Sequence, residues 1–218
     1  MTKKLMTIPA LAVVISCTLP AQNTTLPPEN ETGAVTISMD SGVSIGLPAV
    51  RAGVAVGNTT ALSPNKTVLP TIGFTTSVRA WKYLAPYLDF NVLDTGKATA
   101  SVGSVTSTAQ ANTFTFNGGL RLIGRSSRVR PYVQVGGGLL YQRLTGTLSA
   151  AGQSASQSVS GSFGDIVYGA GVQLFAGRKW GATVGFDGYH YTSPINGAGG
   201  NSGTIRVGLF YQTKTSIQ

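Results

Sequence analysis

The sequence predicts an all-β chain whose eight strands run up and down and close into an antiparallel transmembrane β-barrel. Three observations predict it. In eight separate segments apolar side chains alternate with small or polar ones, the two-residue period of a strand with unlike faces. The connections between those segments alternate in length, long then short. Charged residues make up only 11% and glycine is abundant at 29 residues, a composition that depresses helix propensity and, with β-branched and aromatic residues, suits a pleated surface.

The N-terminus reads as an export signal. Lys3 and Lys4 precede an apolar run, residues 5–16, too short to cross a bilayer as an ordinary helix. Leu19-Pro20-Ala21 before Gln22 forms an acceptable small-residue cleavage site, so residues 1–21 are expected to leave as a signal peptide. Val14-Ile15-Ser16-Cys17 offers the alternative of a lipoprotein box in which Cys17 is acylated. Cys17 is the single cysteine, which excludes disulfides and thiolate metal sites from the mature chain.

Residues 22–47 hold Glu29, Glu31 and Asp40 among turn-formers, with one alternating patch, Val35, Ile37 and Met39. They read as a periplasmic tail or plug, with an extra strand as the alternative. The barrel is expected over residues 48–213, followed by a tail at 214–218. Its first strand sets Val50, Ala52, Val54 and Val56 against Arg51, Gly53, Ala55 and Gly57. The second places Ile72, Phe74, Thr76 and Val78 on one side, and the third Leu88, Phe90 and Val92 against Tyr87, Asp89 and Asn91. The fourth opposes Phe114, Phe116, Leu120 and Leu122 to Asn117 and Arg121, and the fifth Val133, Val135, Leu139 and Tyr141 to Gln134 and Gln142. Tyr168, Ala170, Val172 and Leu174 mark the sixth, and Trp180, Ala182, Val184 and Phe186 against Asp187 the seventh. The eighth has Ile205, Val207, Leu209 and Tyr211 against Thr204, Arg206 and Gly208.

The connections are long at 58–70, 94–111 and 145–162, short at 80–84, 124–128 and 177–179, and medium at 192–202. A soluble β-sandwich also alternates along its strands, but a membrane barrel has tight periplasmic turns and long outer loops, which accounts for this rhythm. Trp81, Tyr83 and Trp180 fall at short turns, where an interfacial aromatic girdle is expected.

A strand can span hydrocarbon only if every backbone group is paired, which requires closure. Eight strands enclose a lumen narrow enough for side chains to fill. Charges of inward parity should then pair with one another. Asp89 with Arg121 and Asp187 with Arg206 sit on neighbouring strands, and Arg51 and Arg79 add positive charge near the first hairpin. The formal net charge is +9. Its clustering at short turns, in Lys82, Arg125, Arg128, Arg130, Arg178 and Lys179, points to anionic phospholipid headgroups rather than nucleic acid.

Arg130-Pro131-Tyr132-Val133-Gln134-Val135-Gly136-Gly137-Gly138 and the closing strand Thr204-Ile205-Arg206-Val207-Gly208-Leu209-Phe210-Tyr211 resemble the corresponding segments of the small eight-stranded outer-membrane barrels of the OmpA, OmpX and opacity type. The resemblance covers about residues 48–212. It implies integral residence in a bacterial outer membrane, contact with its phospholipid and lipopolysaccharide, and insertion by the barrel-assembly machinery. The seven residues that follow the last strand, 212–218, depart from the family habit of ending on an aromatic residue.

One candidate for chemistry stands out. His190, the single histidine, shares outward parity with Thr192, and Ser193 follows. This resembles the His-x-Ser pair of outer-membrane lipid A deacylases. Such a hydrolase needs a hydroxyl nucleophile, an imidazole base and an orienting carboxylate. Thr192 stands where the serine belongs, and no Asp or Glu follows Asp187. One histidine and no mature cysteine cannot assemble a typical zinc site, and no phosphate-binding GxxxxGK[ST] is present. The expectation is therefore a non-enzymatic structural or surface-interaction protein without metal or cofactor, presenting hydroxyl-rich loops to an extracellular ligand. The deacylase and a narrow conduit for small hydrophobic molecules are the alternatives.

Overall fold

The computed structural model describes residues 32–46, 51–64, 68–124, 128–192 and 200–213. The expected signal peptide with Cys17, the tail at 214–218, Arg125 and Ser193 lie outside these residues. In chain order the strands are β1 (Val35–Ile45), β2 (Arg51–Val56), β3 (Thr59–Pro64), β4 (Val68–Val78), β5 (Leu84–Val102), β6 (Val105–Ile123), β7 (Val129–Ala150), β8 (Gln153–Phe175), β9 (Trp180–Tyr191) and β10 (Asn201–Gln212).

Eight of them form a closed antiparallel ring in the order β1-β10-β9-β8-β7-β6-β5-β4. Closure is made by β1, where Ile37 pairs with Tyr211 on one side and with Thr76 on the other. A ring of this kind leaves no strand edge at membrane depth. The outward parity is apolar: Ile72, Phe74, Leu88, Phe90, Phe116, Leu120, Leu122, Val133, Val135 and Leu139 are all exposed, Phe116 by 56% and Leu209 by 69%. Phe90 stacks beside Phe114, and Phe114 lies beside Tyr141. On β7 this band runs from Val129 to Tyr141, which at the tilt of a small barrel is about 25–30 Å tall, the thickness of a hydrocarbon core.

Two sequence-based assignments are corrected. Residues 35–45, assigned to a tail or plug, form barrel strand β1, with Ile37, Met39, Val43 and Ile45 outward and Ser38, Asp40 and Ser44 buried. The segment taken as the first barrel strand is β2, which pairs only with β3 as a separate two-stranded sheet. That hairpin lies on the inner face of β5 and β6. Ala52 and Val54 pack against Ala98, Ala100, Ala109 and Ala111, so Val54 is 7% exposed and faces protein rather than lipid. Parity could not separate the two candidates because both alternate; β1 is chosen because it can pair along its length with two neighbours at once.

The long connections 94–111 and 145–162 are also not loops. β5 and β6 continue to a tight turn at Gly103, and β7 and β8 to one at Ala151-Gly152, where positive φ angles of 58°, 47° and 80° reverse the chain. Because β6 pairs with β7 as far as Val105↔Ala150, the four strands project beyond the ring as one sheet.

Candidate functional site

Three places bear on function: the lumen, the projecting sheet and the barrel rim around His190. In the lumen, neighbouring glycines make room for long side chains. A Cβ at Gly169 would strike the Asp187 carboxylate, and one at Gly171 or Gly185 would strike the Tyr132 hydroxyl. Arg206 extends into the lumen from β10 and is buried there. Its Nη1 donates to Asp89 Oδ1 at 2.7 Å and to Asn91 Oδ1 at 3.2 Å, and its Nη2 donates to Asp187. Asp40 lies 3.7 Å from the same Nη1. Thr75 donates to Asp89 at 2.7 Å, and Asn91 donates to Asp89 at 2.5 Å and to Thr115 at 3.1 Å. Gln134 carries the chain onward, donating to Asp187 at 2.6 Å and accepting two bonds from Arg121 at 3.0 and 2.7 Å.

Of the residues expected in an internal network, Asp89, Asp187 and Arg206 meet directly. Arg121 does not reach Asp89; its guanidinium lies over the Tyr132 ring at 4.2 Å and the Tyr87 ring at 5.4 Å, and Gln134 links it to Asp187. For Asp89 the partner is decided by reach across the lumen, from Arg206 on β10, whereas Arg121 bonds its register neighbour Gln134 on the adjacent strand. Arg79 is buried at the short-turn end and donates to the Lys82 carbonyl at 3.2 and 2.6 Å. Arg51 starts β2, outside the ring. Asp40, Asn91 and Gln134 were missed. Asp40 sat in a segment read as tail, and the two amides are uncharged although their inward parity was visible.

Above this layer Leu69, Leu93, Leu140, Val167, Tyr189 and Tyr191 form an apolar cluster across the lumen. Between it and the polar layer, next to Thr71, Asn91 and Thr204, lies a cavity of about 10 Å³, room for one water. At the short-turn end Trp81, Tyr83 and Trp180 are exposed, with Trp180 against Tyr211 at 4.6 Å and Lys82 Nζ 5.2 Å from the Tyr83 ring centre. Arg130 is not at the surface there. It is buried, bonded to Gln212 at 3.2 Å and stacked 4.3 Å over Phe175.

Beyond the apolar band the outward parity turns polar, at Asn112 on β6 and Arg143 on β7. Register then aligns hydroxyls in rows across all four projecting strands. Thr99, Thr108, Thr147 and Ser156 form one row, and Ser101, Thr106, Ser149 and Ser154 the next. Ser101 and Thr106 are bonded at 3.0 Å, as are Thr145 and Ser158 at 3.1 Å. The opposite face carries Ala98, Ala100, Ala109, Leu148, Ala155 and Val159.

At the rim, His190 is exposed and its Nδ1 lies 2.8 Å from Asn201 Oδ1 on the paired strand. An amide therefore occupies the place where a hydrolase would set a carboxylate. Thr192 Oγ1 donates to the Gly164 carbonyl at 3.1 Å, so its proton is directed away from the imidazole.

The sequence matches the family model described as the outer membrane protein beta-barrel domain over residues 10–212. No curated protein matches it. Among solved structures, the outer membrane protein OprG from Pseudomonas aeruginosa superposes with a TM-score of 0.52 at 8% identity, over 85% of this chain and 98% of that one. Neisserial surface protein A gives 0.49 at 12%, over 83% and 99%. The attachment invasion locus protein Ail of Yersinia pestis gives 0.46 at 14%, over 83% and 99%.

Proposed function

The chain belongs to the outer membrane protein beta-barrel family, an integral protein of the bacterial outer membrane, and from that premise we propose that its role is non-enzymatic presentation of the projecting β5–β8 sheet to partners outside the cell. The observation that carries this reading is the change along one continuous sheet from an outward apolar band to rows of serine and threonine. A protein whose task ended at the membrane would not need strands this long. Ordered backbone holds the hydroxyls in fixed register, which limits the entropy lost when a partner orders them.

The lumen supports the same reading. A charged, hydrogen-bonded layer capped by an apolar cluster serves stability better than passage. For the deacylase reading, His190 would need its base role supported by Asn201 and a nucleophile in Thr192, whose hydroxyl is bonded to Gly164; this favours a rim residue of structural role. Phospholipid and lipopolysaccharide surround the barrel, and the barrel-assembly machinery inserts it by way of β10.

The test uses the full chain reconstituted in planar bilayers and, separately, mixed with lipopolysaccharide. No stepwise conductance and no fatty-acid release are expected. Release that disappears in His190→Ala would overturn the reading in favour of a hydrolase, and discrete conductance would overturn it in favour of a conduit.

A further inference from the structure

The polar layer of the lumen holds more acid than base. Arg206 is in contact with three carboxyl groups, Asp40 from β1, Asp89 from β5 and Asp187 from β9. Arg121, the next guanidinium in the network, gives its two bonds to the neutral Gln134. Buried charge in excess of its counter-charge is costly, and the imbalance is relieved when one carboxyl holds a proton. The donors that each carboxyl receives show which one that is. Asp89 accepts from Arg206, Thr75 and Asn91, and Asp187 accepts from Arg206 and Gln134. Donors of this kind favour the ionised form.

Asp40 has no such support. It is 4% exposed, its Oδ1 has no hydrogen-bond partner among the described residues, and Arg206 Nη1 stands off at 3.7 Å. Both hydrogens of that Nη1 are already taken, by Asp89 Oδ1 and Asn91 Oδ1. What faces Asp40 Oδ1 is another acceptor. A Cβ on Gly73, the β4 partner of Asp40, would strike both Asp40 Oδ1 and Asn91 Oδ1, so the two oxygens lie over the same glycine. The Asn91 amide cannot turn to offer its nitrogen there. Its Nδ2 donates to Asp89 at 2.5 Å and to Thr115 at 3.1 Å, while its Oδ1 accepts from Arg206. A carboxylate oxygen in this place is repelled, whereas a carboxyl hydroxyl supplies the donor that the amide oxygen accepts.

We propose that Asp40 is a proton-binding site of the folded barrel: its carboxyl is neutral at neutral pH, turns its hydroxyl toward Asn91 Oδ1, and on losing the proton loosens the strand that closes the ring. β1 joins the two ends of the ring, and Asp40 sits in it between two glycines, Gly73 of β4 and Gly208 of β10. Ionising it there adds a third anion beside Asp89 and Asp187 and sets oxygen against oxygen. That repulsion falls on the one strand that completes closure.

The charged groups that face Asp40 are Arg206 of β10, Asp89 of β5, Asp187 of β9 and, farther off, Arg121 of β6; β4 presents Gly73 to it and no charge. Asp89 and Asp187 hold their bonded donors and stay ionised, so the proton belongs to Asp40. Through this group the ring closes more firmly in acid than in alkali. The device is independent of what the projecting sheet presents outside the cell.

The test uses the full chain and two readings. In phospholipid nanodiscs, nuclear magnetic resonance on the unaltered sequence should find the side-chain carboxyl carbon of Asp40 at the protonated position at neutral pH, and those of Asp89 and Asp187 at the ionised position. The second reading is urea unfolding in phospholipid vesicles, followed by tryptophan fluorescence. An aspartate of the unfolded chain is ionised above about pH 5, so unfolding releases the Asp40 proton. Between about pH 5 and 7 the unfolding constant of the unaltered chain should therefore rise about tenfold per pH unit relative to that of Asp40→Asn, which has no proton to lose. Asp40→Asn keeps a donor for Asn91 and should match the unaltered barrel at the acid end, where Asp89→Asn is already weaker. An Asp40 carbon at the ionised position at neutral pH would overturn the proposal, whether water or a bound cation meets the charge. A ratio of unfolding constants that does not change with pH would overturn it as well, as would a proton found on Asp89 or Asp187 instead. If Asp40→Asn does not fold, the carbon signal of the unaltered chain decides alone.

Discussion

Arg206 stands with its guanidinium between carboxylates from three other strands, Asp40, Asp89 and Asp187, all nearly excluded from water. Removing the one cation they share strands those charges in a dry lumen. Arg206→Leu is expected to destabilise the barrel by about 3–5 kcal/mol, read as a lower temperature for the gel-mobility transition between folded and unfolded forms. Arg121→Leu should cost less, about 1–3 kcal/mol, because its hydrogen-bond partner is the neutral Gln134, which keeps Asp187. Equal losses in the two variants would show that the network does not centre on Arg206. The inward parity of Asp187 and Arg206 was legible in the sequence because a two-residue period assigns a face. The partner of Asp89 was not, since a side chain as long as arginine crosses the lumen and ignores strand order.

At the scale of elements, among the described residues the β2–β3 hairpin makes no ladder with the ring, and it packs mainly on the short side chains Ala98, Ala100, Ala109 and Ala111. Replacing residues 47–67 with a short Gly-Ser turn should therefore leave a barrel that resists detergent until boiled. In that background a cysteine introduced by Ala98→Cys, at a position now 2% exposed, should react with a maleimide at least about tenfold faster than in the intact chain. Loss of the folded form would instead make the hairpin part of the barrel's own stability. Both β1 and β2 alternate, so a reading by period alone had no means of choosing between them. The choice rests on length and partners: β1 spans eleven residues and is paired along them with β4 and β10, whereas β2 spans six.

For the whole molecule, the ring of strands sets the depth at which each side chain meets the membrane. Trp81 and Trp180 are exposed at the short-turn end, 60% and 61%, at the level where indoles prefer the headgroup boundary. Lipids brominated near the glycerol end of the chain are expected to quench their fluorescence more strongly than lipids brominated at mid-chain; the reverse order would place that end of the barrel at the wrong depth. What the sequence determined by itself is the all-β class, the membrane-facing parity of β4 to β10 and the short turns at one end of the ring, because a period of two and a short connection are local properties. Tertiary structure alone decided that residues 35–45 close the ring, that 94–111 and 145–162 are sheet rather than loop, and that Asp40 and Gln134 join the lumen network. Each depends on which strand lies beside which, and hydrogen bonds between segments far apart in the chain leave no periodic trace in either segment.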